Sequence, residues 1–272
     1  MKIGILTSVE TRHRYFVNRI AAELQVTAVG YERTGYSPAS VAKDDLTPQE
    51  AQIVAEHFAE RGRQEERFFG HGARFASGSD TRKCRIIEPG ELNAPSTLEL
   101  LRAAEVDTVL VYGTNLVKAP LIDFAPGRTI NMHLGLSPYY RGTATNFYPL
   151  LNEEPEYVGA TIHLLDDGID SGPIFRHARP TIVADDMPHT IGCKAIIAGI
   201  DAMISVLHEL DRGELTPVPQ WKVPSPRLYL RKDYHPRQVV ELYEKLAAGL
   251  IPRYVQRASA VAGRVRLVDC AT

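Results

Sequence analysis

Asn131 and His133 are the two residues whose types and spacing most directly suggest chemistry. They stand at alternate positions of segment 129–133 (TINMH), where the neighbouring Ile130 and Met132 are apolar. Side chains along a β-strand alternate between faces, so both polar groups are expected on one face of a strand. An imidazole can move protons near neutral pH, and an amide can donate a hydrogen bond to a developing negative charge. The spacing fits equally well a hydrogen-bonded core histidine beside a turn-forming asparagine.

An acidic turn between two apolar segments supplies a third candidate group. Asp166, Asp167 and Asp170 stand with two glycines in segment 166–172 (DDGIDSG). Aspartate and glycine supply the dihedral angles of tight turns, and we interpret Asp166 and Asp167 mainly in that way. Asp170 can turn back toward His133 if the two strands are neighbours. A carboxylate hydrogen-bonded to an imidazole fixes its tautomer and favours its protonated form.

The loop 135–142 (GLSPYYRG) follows the Asn/His strand directly, so we expect it to border the same pocket. The alternative is a surface turn with an exposed arginine. The residues of this loop that we assign to substrate binding are Ser137, Tyr139, Tyr140 and Arg141.

Short apolar segments alternate with amphipathic ones through the first two-thirds of the chain. This pattern predicts an α/β fold, with a Rossmann-like, mostly parallel sheet flanked by helices. Ligands of such open sheets bind beyond the carboxyl ends of the strands, where Asn131 and His133 are expected. The predicted strands are residues 2–6, 25–31, 85–87, 107–112, 129–133, 158–165 and 173–181. The predicted helices are residues 12–24, 48–61, 96–104, 145–151 and 187–212.

Two local features are also assigned from residue types. Ser96, with Glu99 three residues later, is expected to cap a helix through a capping box. The charged, glycine-rich region 62–78 is expected to form a loop over one edge of the sheet.

The composition of the chain changes near its carboxyl-terminal end. Four prolines within residues 216–226 predict an extended linker. Residues 235–257 are expected to be helical, with interruptions at a glycine and a proline. We therefore predict a catalytic domain of residues 1–215 and a small C-terminal appendage of residues 216–272.

The composition also narrows the function classes. The 272 residues carry a formal net charge of −2, which gives no electrostatic case for nucleic acid or an anionic membrane as the main partner. No run of about 18 apolar residues is present, so no membrane-spanning segment is expected. The three cysteines, at positions 84, 193 and 270, are too few and too widely spaced for a disulfide framework or a structural zinc site. We therefore expect a cytoplasmic protein without a bound metal.

A dinucleotide-dependent oxidoreductase would also begin with a strand–helix–strand unit. Its first turn would carry the glycine fingerprint GxGxxG, whereas residues 7–10 here read TSVE. The sequence therefore disfavours that class.

The segment INMHLGLSPYYRGTATNFYPLL, followed by YVGATIHLLDDGIDSGPI, resembles the formyltransferase family that includes methionyl-tRNA, glycinamide ribonucleotide and amino-sugar formyltransferases. In that family an Asn-x-His pair closes one strand and an aspartate lies in a downstream turn. These positions match Asn131, His133 and Asp170. The resemblance is tight over residues 106–182. It departs after His133, where the family's Pro-Ser is Leu-Gly and its Leu-Leu-Pro is Leu-Ser-Pro.

The resemblance implies transfer of a formyl group from N10-formyltetrahydrofolate to an amine. It implies that Asn131 donates to the developing oxyanion, that His133 moves protons and that Asp170 holds the imidazole. The pterin ring of the folate would lie between two loops rich in backbone groups. The implied folate-binding residues are Gly113, Thr114, Asn115 and Leu116 in one loop, and Leu165, Asp166, Asp167 and Gly168 in the other. A formyl-folate hydrolase or a non-catalytic folate-binding module would share the fold.

The resemblance to one branch of the family favours a small-molecule amine as acceptor, most of all a nucleotide-linked amino sugar. A hydroxylated amino acid and initiator methionyl-tRNA are the alternatives. An enzyme acting on tRNA needs a basic surface, and no nucleic-acid or membrane partner is expected here. A local basic group fits either a solvated face or a grip on a nucleotide diphosphate; it consists of Arg227, Arg231, Lys232 and Arg237. A homodimer is left open.

Overall fold

The computed structural model of the protein describes residues 1–33, 45–74 and 82–268. Its strands are Ile3–Ser8 (β1), Val26–Glu32 (β2), Lys83–Ile87 (β3), Thr108–Tyr112 (β4), Thr129–Leu134 (β5), Tyr140–Gly142 (β6), Ala160–Leu164 (β7), Ile174–Ala178 (β8) and Arg227–Tyr229 (β9). Its helices are Thr11–Ala21 (α1), Pro48–Phe69 (α2), Pro95–Ala103 (α3), Ala119–Ile122 (α4), Tyr148–Leu151 (α5), Pro188–Asp211 (α6), Arg237–Ala247 (α7) and Leu250–Ala262 (α8).

Seven strands form one sheet in the order β3-β2-β1-β4-β5-β7-β8. The pairs among β1 to β5 are parallel, whereas β7 is antiparallel to both β5 and β8. This confirms the predicted α/β, Rossmann-like and mostly parallel sheet.

Helices cover both faces of the sheet, as the buried strands require. Along β1, Ile5 belongs to the core cluster that contains α1 and α6, and the next residue, Leu6, belongs to the cluster that contains α3. Both faces of the strand are therefore buried in the core. Functional side chains are expected in the loops at its carboxyl end.

Among the described residues, α6 is the one helix that is long and apolar enough to cross a membrane. By length and composition it could cross a bilayer, but 61% of its apolar window is buried inside the protein. It packs against β5, β7 and β8, so its apolar character is explained by the core.

Two local predictions in the first half of the chain are wrong. Ser96 and Glu99 do not cap α3, because the helix begins at Pro95 after Ala94 and has no side-chain cap bond. The fixed φ of proline suits the first helical position, which moves the helix start before Ser96. The loop predicted for residues 62–78 is also wrong as far as Phe69, because α2 continues to that residue.

The charged sequence of α2 explains its length. Thr47 and Glu50 form a capping box at its start, which the sequence analysis missed. Arg61 Nε donates to Glu65 Oε1 at 2.9 Å, one of the pairs four residues apart that support a solvated helical face. A single 3₁₀ turn, Gly70–Gly72, follows, and positions 75–78 of the predicted loop lie outside the described residues.

The carboxyl-terminal segment packs against the rest of the chain. The predicted interruption at the glycine is confirmed, since Gly249 has φ +84° between α7 and α8. The interruption predicted at the proline is wrong, because Pro252 lies in the first turn of α8, where a proline is tolerated. Leu242 and Leu250 share a core cluster with Tyr148 and Ile191. An unpredicted parallel pair, β6 with β9, also joins the segment to the loop after β5. The boundary at residues 215 and 216 stays a prediction.

Candidate active site

Asn131, His133 and Asp170 lie together at one edge of the sheet. Asn131 and His133 project from the same face of β5, and Asp170 lies in the turn between β7 and β8. His133 Nδ1 is 3.2 Å from Asp170 Oδ2, and Asn131 Nδ2 donates to Asp170 Oδ1 at 3.3 Å. The structure therefore brings the three predicted catalytic residues into one hydrogen-bonded cluster.

Asp170 is held in an uncommon backbone conformation. Its φ of +48° lies in the left-handed region, which aspartate tolerates better than most residues. Burial favours the protonated carboxyl, but the charge of His133 and the hydrogen bonds outweigh it, so the pKa of Asp170 lies well below its usual range. One of those hydrogen bonds comes from the Gly142 N–H, 2.9 Å from Oδ2. The carboxylate is therefore ionised at neutral pH.

His133 is 6% exposed and faces an acceptor on each side of its ring. Nδ1 faces Asp170, and Nε2 lies 3.1 Å from the carbonyl oxygen of Tyr140. Burial lowers the pKa of His133, and the charge of Asp170 offsets part of that effect. Carboxylate and carbonyl oxygens only accept hydrogen bonds, so an imidazolium satisfies both contacts and a neutral ring satisfies one. The ring is thus built to change protonation state without moving.

Gly135 allows the chain to fold closely over His133. Its φ is +144°, and a Cβ at this position would lie 2.8 Å from His133 Nε2 and 2.7 Å from Thr145 Cβ. Any larger residue would displace the imidazole or the following loop.

His163 is a member of the cluster that the sequence analysis missed. It is fully buried on β7, directly opposite Asn131, and its Nε2 lies 3.1 Å from Asn131 Nδ2 and 3.6 Å from Asp170 Oδ1. Because these two acceptors lie close together, one N–H of the amide can serve both. The second N–H is then free for a ligand oxygen. The available signal was a histidine within a predicted strand, between the apolar residues Ile162 and Leu164.

The loop after β4, which was predicted to contact folate, is held by a buried carboxylate at the end of β2. Glu32, fully buried at the end of β2, accepts from the backbone N–H and from Nδ2 of Asn115, each at 2.8 Å. Gly113 has φ +69°, and a Cβ there would lie 2.1 Å from His13 Nε2. Thr114 bonds within the loop, to the carbonyl oxygen of Asn115. The neighbouring Leu116 is 59% exposed at the edge of the site.

The acidic turn forms the other side of the site. Leu165 N–H donates to the carbonyl oxygen of Thr129 at 2.9 Å, so the turn starts beside β5. Asp166 Oδ1 accepts from the Gly168 N–H at 3.1 Å, which is the contact expected of a turn-forming aspartate. Asp167 and Gly168 are exposed.

The four predicted substrate-binding residues do not share one environment. Ser137 is fully buried; its N–H donates to Thr161 and its carbonyl oxygen accepts from His177. Tyr140 is also buried, and only its carbonyl oxygen reaches His133. The structure therefore does not bring these two side chains to the site.

Tyr139 and Arg141 are half-buried. The Tyr139 hydroxyl donates to the carbonyl oxygen of Arg266 at 3.1 Å, which directs it toward the carboxyl-terminal segment. Burial is the main cause of the lowered pKa of His133, and the nearby charge of Arg141 is a smaller one. Among the described residues, Arg141 has no ion-pair partner, and its Nε has no hydrogen-bond partner.

Two of the four cations in the basic group near the proline-rich segment form ion pairs. Arg227 pairs with Glu154 at 2.7 Å, and Arg237 pairs with Glu50 at 3.2 Å. Arg231 donates to Asn115 Oδ1 at 2.6 Å and so contacts the predicted folate loop.

This arrangement can carry out group transfer by proton movement and charge stabilisation. It combines an amide donor, an imidazole and an ionised carboxylate beside the loop after β4 and the acidic turn. In the parts of the chain that the structure describes, no group of three or more histidine, cysteine, aspartate or glutamate residues could hold a metal ion.

The known proteins that this chain resembles are formyltransferases. Residues 39–207 match the family model described as formyl transferase. Methionyl-tRNA formyltransferase of Thermus thermophilus is 36% identical over 137 residues, which are 50% of this chain and 44% of that protein. The enzyme of the same name from Synechococcus sp. (strain JA-3-3Ab) is 34% identical over 138 residues, covering 50% and 42%. The matched region is thus less than half the length of these curated relatives.

Solved structures share the fold at low sequence identity. Phosphoribosylglycinamide formyltransferase from Anaplasma phagocytophilum superimposes with a TM-score of 0.55 and 12% identity, covering 85% of this chain and 97% of the other. The formyltransferase PseJ from Anoxybacillus kamchatkensis, in complex with UDP-4,6-dideoxy-4-formamido-L-AltNAc and tetrahydrofolate, gives a TM-score of 0.52 and 19% identity, covering 96% and 100%. Since the family match extends over more than half of its residues, this chain belongs to the formyl transferase family.

Proposed function

We propose that this chain transfers the formyl group of N10-formyltetrahydrofolate to a primary amine, using Asn131, His133 and Asp170. The observation that carries the proposal is the hydrogen-bonded cluster, in which one carboxylate contacts both the amide and the imidazole. The family match supports the same reaction.

The reaction joins the amine nitrogen to the formyl carbon and breaks the bond from that carbon to N10 of the folate. The free N–H of Asn131 stabilises the negative charge that develops on the formyl oxygen. His133 takes the proton that the amine loses and returns a proton to N10. Asp170 stabilises the protonated imidazole during this exchange. No cysteine or serine nucleophile is needed.

The folate would lie between the loop after β4 and the acidic turn. Each loop presents one exposed apolar side chain, Leu116 at 59% and Ile169 at 36% exposure. Flat aromatic rings of a folate would bury such surface. The anchoring of Asn115 by buried Glu32 supports a loop that is already formed before the ligand binds.

For the acceptor we propose a small-molecule amine, most of all a nucleotide-linked amino sugar, and not a nucleic acid. Arg141 supports an acceptor with an anionic group, because its charge is unpaired among the described residues beside the cluster. The net charge of −2 supports a small molecule over tRNA. Methionyl-tRNA is the second candidate, since the curated relatives carry that name.

We also propose that the protein acts in the cytoplasm. Cys193 is a buried free thiol, which fits a reducing compartment. Light scattering on the full chain would measure whether it forms a homodimer.

The test is a formylation assay with the full chain. The chain is incubated with N10-formyltetrahydrofolate and one of several amines: nucleotide-linked 3- and 4-amino sugars, hydroxyornithine or charged initiator tRNA. Mass spectrometry should detect the gain of one CO on an amino sugar. Steeply salt-dependent formylation of tRNA would overturn the proposed acceptor. Release of formate without any amine would indicate a hydrolase, and folate binding without either product would indicate a binding module.

A further inference from the structure

The proline-rich segment 216–226 contacts β8, the last strand of the sheet. Val218 pairs with Ile174 of β8 through two backbone hydrogen bonds, 2.8 Å and 2.7 Å long. The pairing is antiparallel, so a residue two positions after Val218 lies opposite the turn that ends before Ile174. The segment is therefore bound to β8 by this one β-bridge and is not only a linker.

Gln220 is the residue that this register brings to the turn. Its Nε2 donates to the carbonyl oxygen of Asp170 at 2.8 Å and to that of Gly172 at 2.9 Å. Asp170 has a left-handed φ of +48°, a conformation that needs support from its surroundings. Because Gln220 donates to the backbone carbonyl oxygen of Asp170, it supports the backbone of the turn directly.

The same carboxyl-terminal segment holds the carboxylate of Asp170 from the other side. The Gly142 N–H that donates to Asp170 Oδ2 belongs to β6, whose partner strand is β9. A Cβ on Gly142 would lie 2.0 Å from the carbonyl oxygen of Tyr229, so the two strands meet closely at this point. The N–H of Thr143 also donates to that oxygen, at 2.8 Å.

We propose that residues 216–229 form a positioning device for the active site, in which Gln220 fixes the turn that presents Asp170 to His133. The proposal rests on the proposed function for the role of Asp170, but not for the contact itself. Gln220 is a positioning residue, because its described contacts are to the turn alone. The role of the carboxyl-terminal segment is then to complete the catalytic geometry.

The test compares three substitutions at Gln220 in the full chain. Gln220→Met keeps the length and removes the donor, Gln220→Glu places an acceptor against two carbonyl oxygens, and Gln220→Lys restores a donor. We expect turnover to fall about tenfold in Gln220→Met, further in Gln220→Glu, and to recover in Gln220→Lys, with KM changed less than about twofold. Gln25→Met, the same substitution at an exposed residue just before β2, is the matched control and should behave as the wild type.

A second readout does not depend on activity. The titration of the His133 ring is followed by NMR in the wild type, in Gln220→Met and in Asp170→Asn without substrates. A displaced Asp170 supports the imidazolium less, so Gln220→Met should shift the titration in the same direction as Asp170→Asn, by a smaller amount. If Gln220→Met and Gln220→Glu both titrate as the wild type, the proposal is wrong, whatever their stability. If the wild type formylates no amine but the titration shifts, the proposed function fails and the positioning role stands.

Discussion

Asn131 and His163 face each other across the antiparallel pair β5–β7, with the amide Nδ2 3.1 Å from the ring Nε2. The other ring nitrogen of His163 lies 2.7 Å from the carbonyl oxygen of Leu164, which can only accept a hydrogen bond. Nδ1 therefore carries the proton, and Nε2 presents its lone pair to the amide. The buried histidine thus sets which way the amide of Asn131 points.

We expect His163→Phe to reduce turnover about tenfold or more, because the amide of Asn131 loses the acceptor that orients it. His163→Gln, which keeps an acceptor, is the control and should retain most of the activity. Steady-state kinetics with the best acceptor amine measure both variants. Equal turnover in the phenylalanine variant and the wild type would show that Asn131 is oriented without His163.

We expect Asp170→Asn to lose about 10²-fold or more in turnover, since an amide carries no charge to stabilise the imidazolium of His133. Asp166→Asn and Asp167→Asn are the controls, because they stand in the same turn. Asp166 bonds to Gly168 and Ser171, so its variant should lose stability more than turnover. The catalytic assignment fails if either control is more impaired per folded molecule than Asp170→Asn.

The sequence predicted the parts of this site that depend on local pattern. Alternation along a strand placed Asn131 and His133 on one face, and turn composition brought Asp170 under consideration. His163 could not be found in that way, because its role depends on the antiparallel register of β7 against β5. The same holds for Gln220, which reaches the turn only through pairing with the edge of β8.

Local rules also failed where two of them competed. Ser96 and Glu99 fit a capping box, but the neighbouring proline started the helix earlier. Charge and glycine content suggested a loop after residue 61, whereas ion pairs along α2 extend the helix to Phe69. Composition alone does not separate a solvated helical face from a loop.

We expect the acid limb of kcat/KM to lie below pH 6.5. His133 must be neutral to accept the proton of the amine, and burial lowers its pKa although Asp170 partly offsets the effect. Activity is therefore retained above the pKa that His133 has in the folded protein, and it is lost as the pH falls through that value. The profile is measured between pH 4.5 and 8 with an acceptor whose own ionisation is known. His133→Ala should lose about 10²-fold or more and show no such limb, and a limb well above pH 6.5 would contradict the assignment.

We expect Gly135→Ala to reduce the turnover of the folded enzyme, in addition to lowering its free energy of unfolding. The added Cβ would lie 2.8 Å from His133 Nε2 at a φ of +144°, so the imidazole must move. Gly127→Ala is the matched control, because Gly127 also has a positive φ, +71°, but a Cβ there meets nothing within 4 Å. It should cost about 1 kcal/mol of folding free energy from backbone strain and leave kcat unchanged. Urea unfolding and kinetics on both variants separate strain from displacement of the catalytic ring.

The last prediction concerns His57, which is buried between α2, α6 and α7. Its ring centroid lies 4.3 Å from that of His189 and 5.8 Å from that of Tyr243, and its side chain is 6% exposed. Burial, together with the charges of His189 and Arg61, lowers the pKa of His57 to about 3. In the unfolded chain a histidine titrates near pH 6.5. Between about pH 6.5 and 3 the unfolded chain therefore binds a proton at His57 and the folded protein does not.

The sign of the pH dependence follows from that difference. The contribution of neutral His57 to stability is complete above about pH 6.5 and falls as the pH drops toward 3, by about 1.4 kcal/mol per pH unit. His57→Phe removes this proton from the balance, so its free energy of unfolding should depend less steeply on pH between 6 and 4. Val54→Ala is the control, since Val54 is fully buried in the neighbouring cluster and does not titrate; it should lower stability without changing the slope. Urea midpoints across this range measure both, and an unchanged slope in His57→Phe would mean that His57 is not kept neutral by the fold.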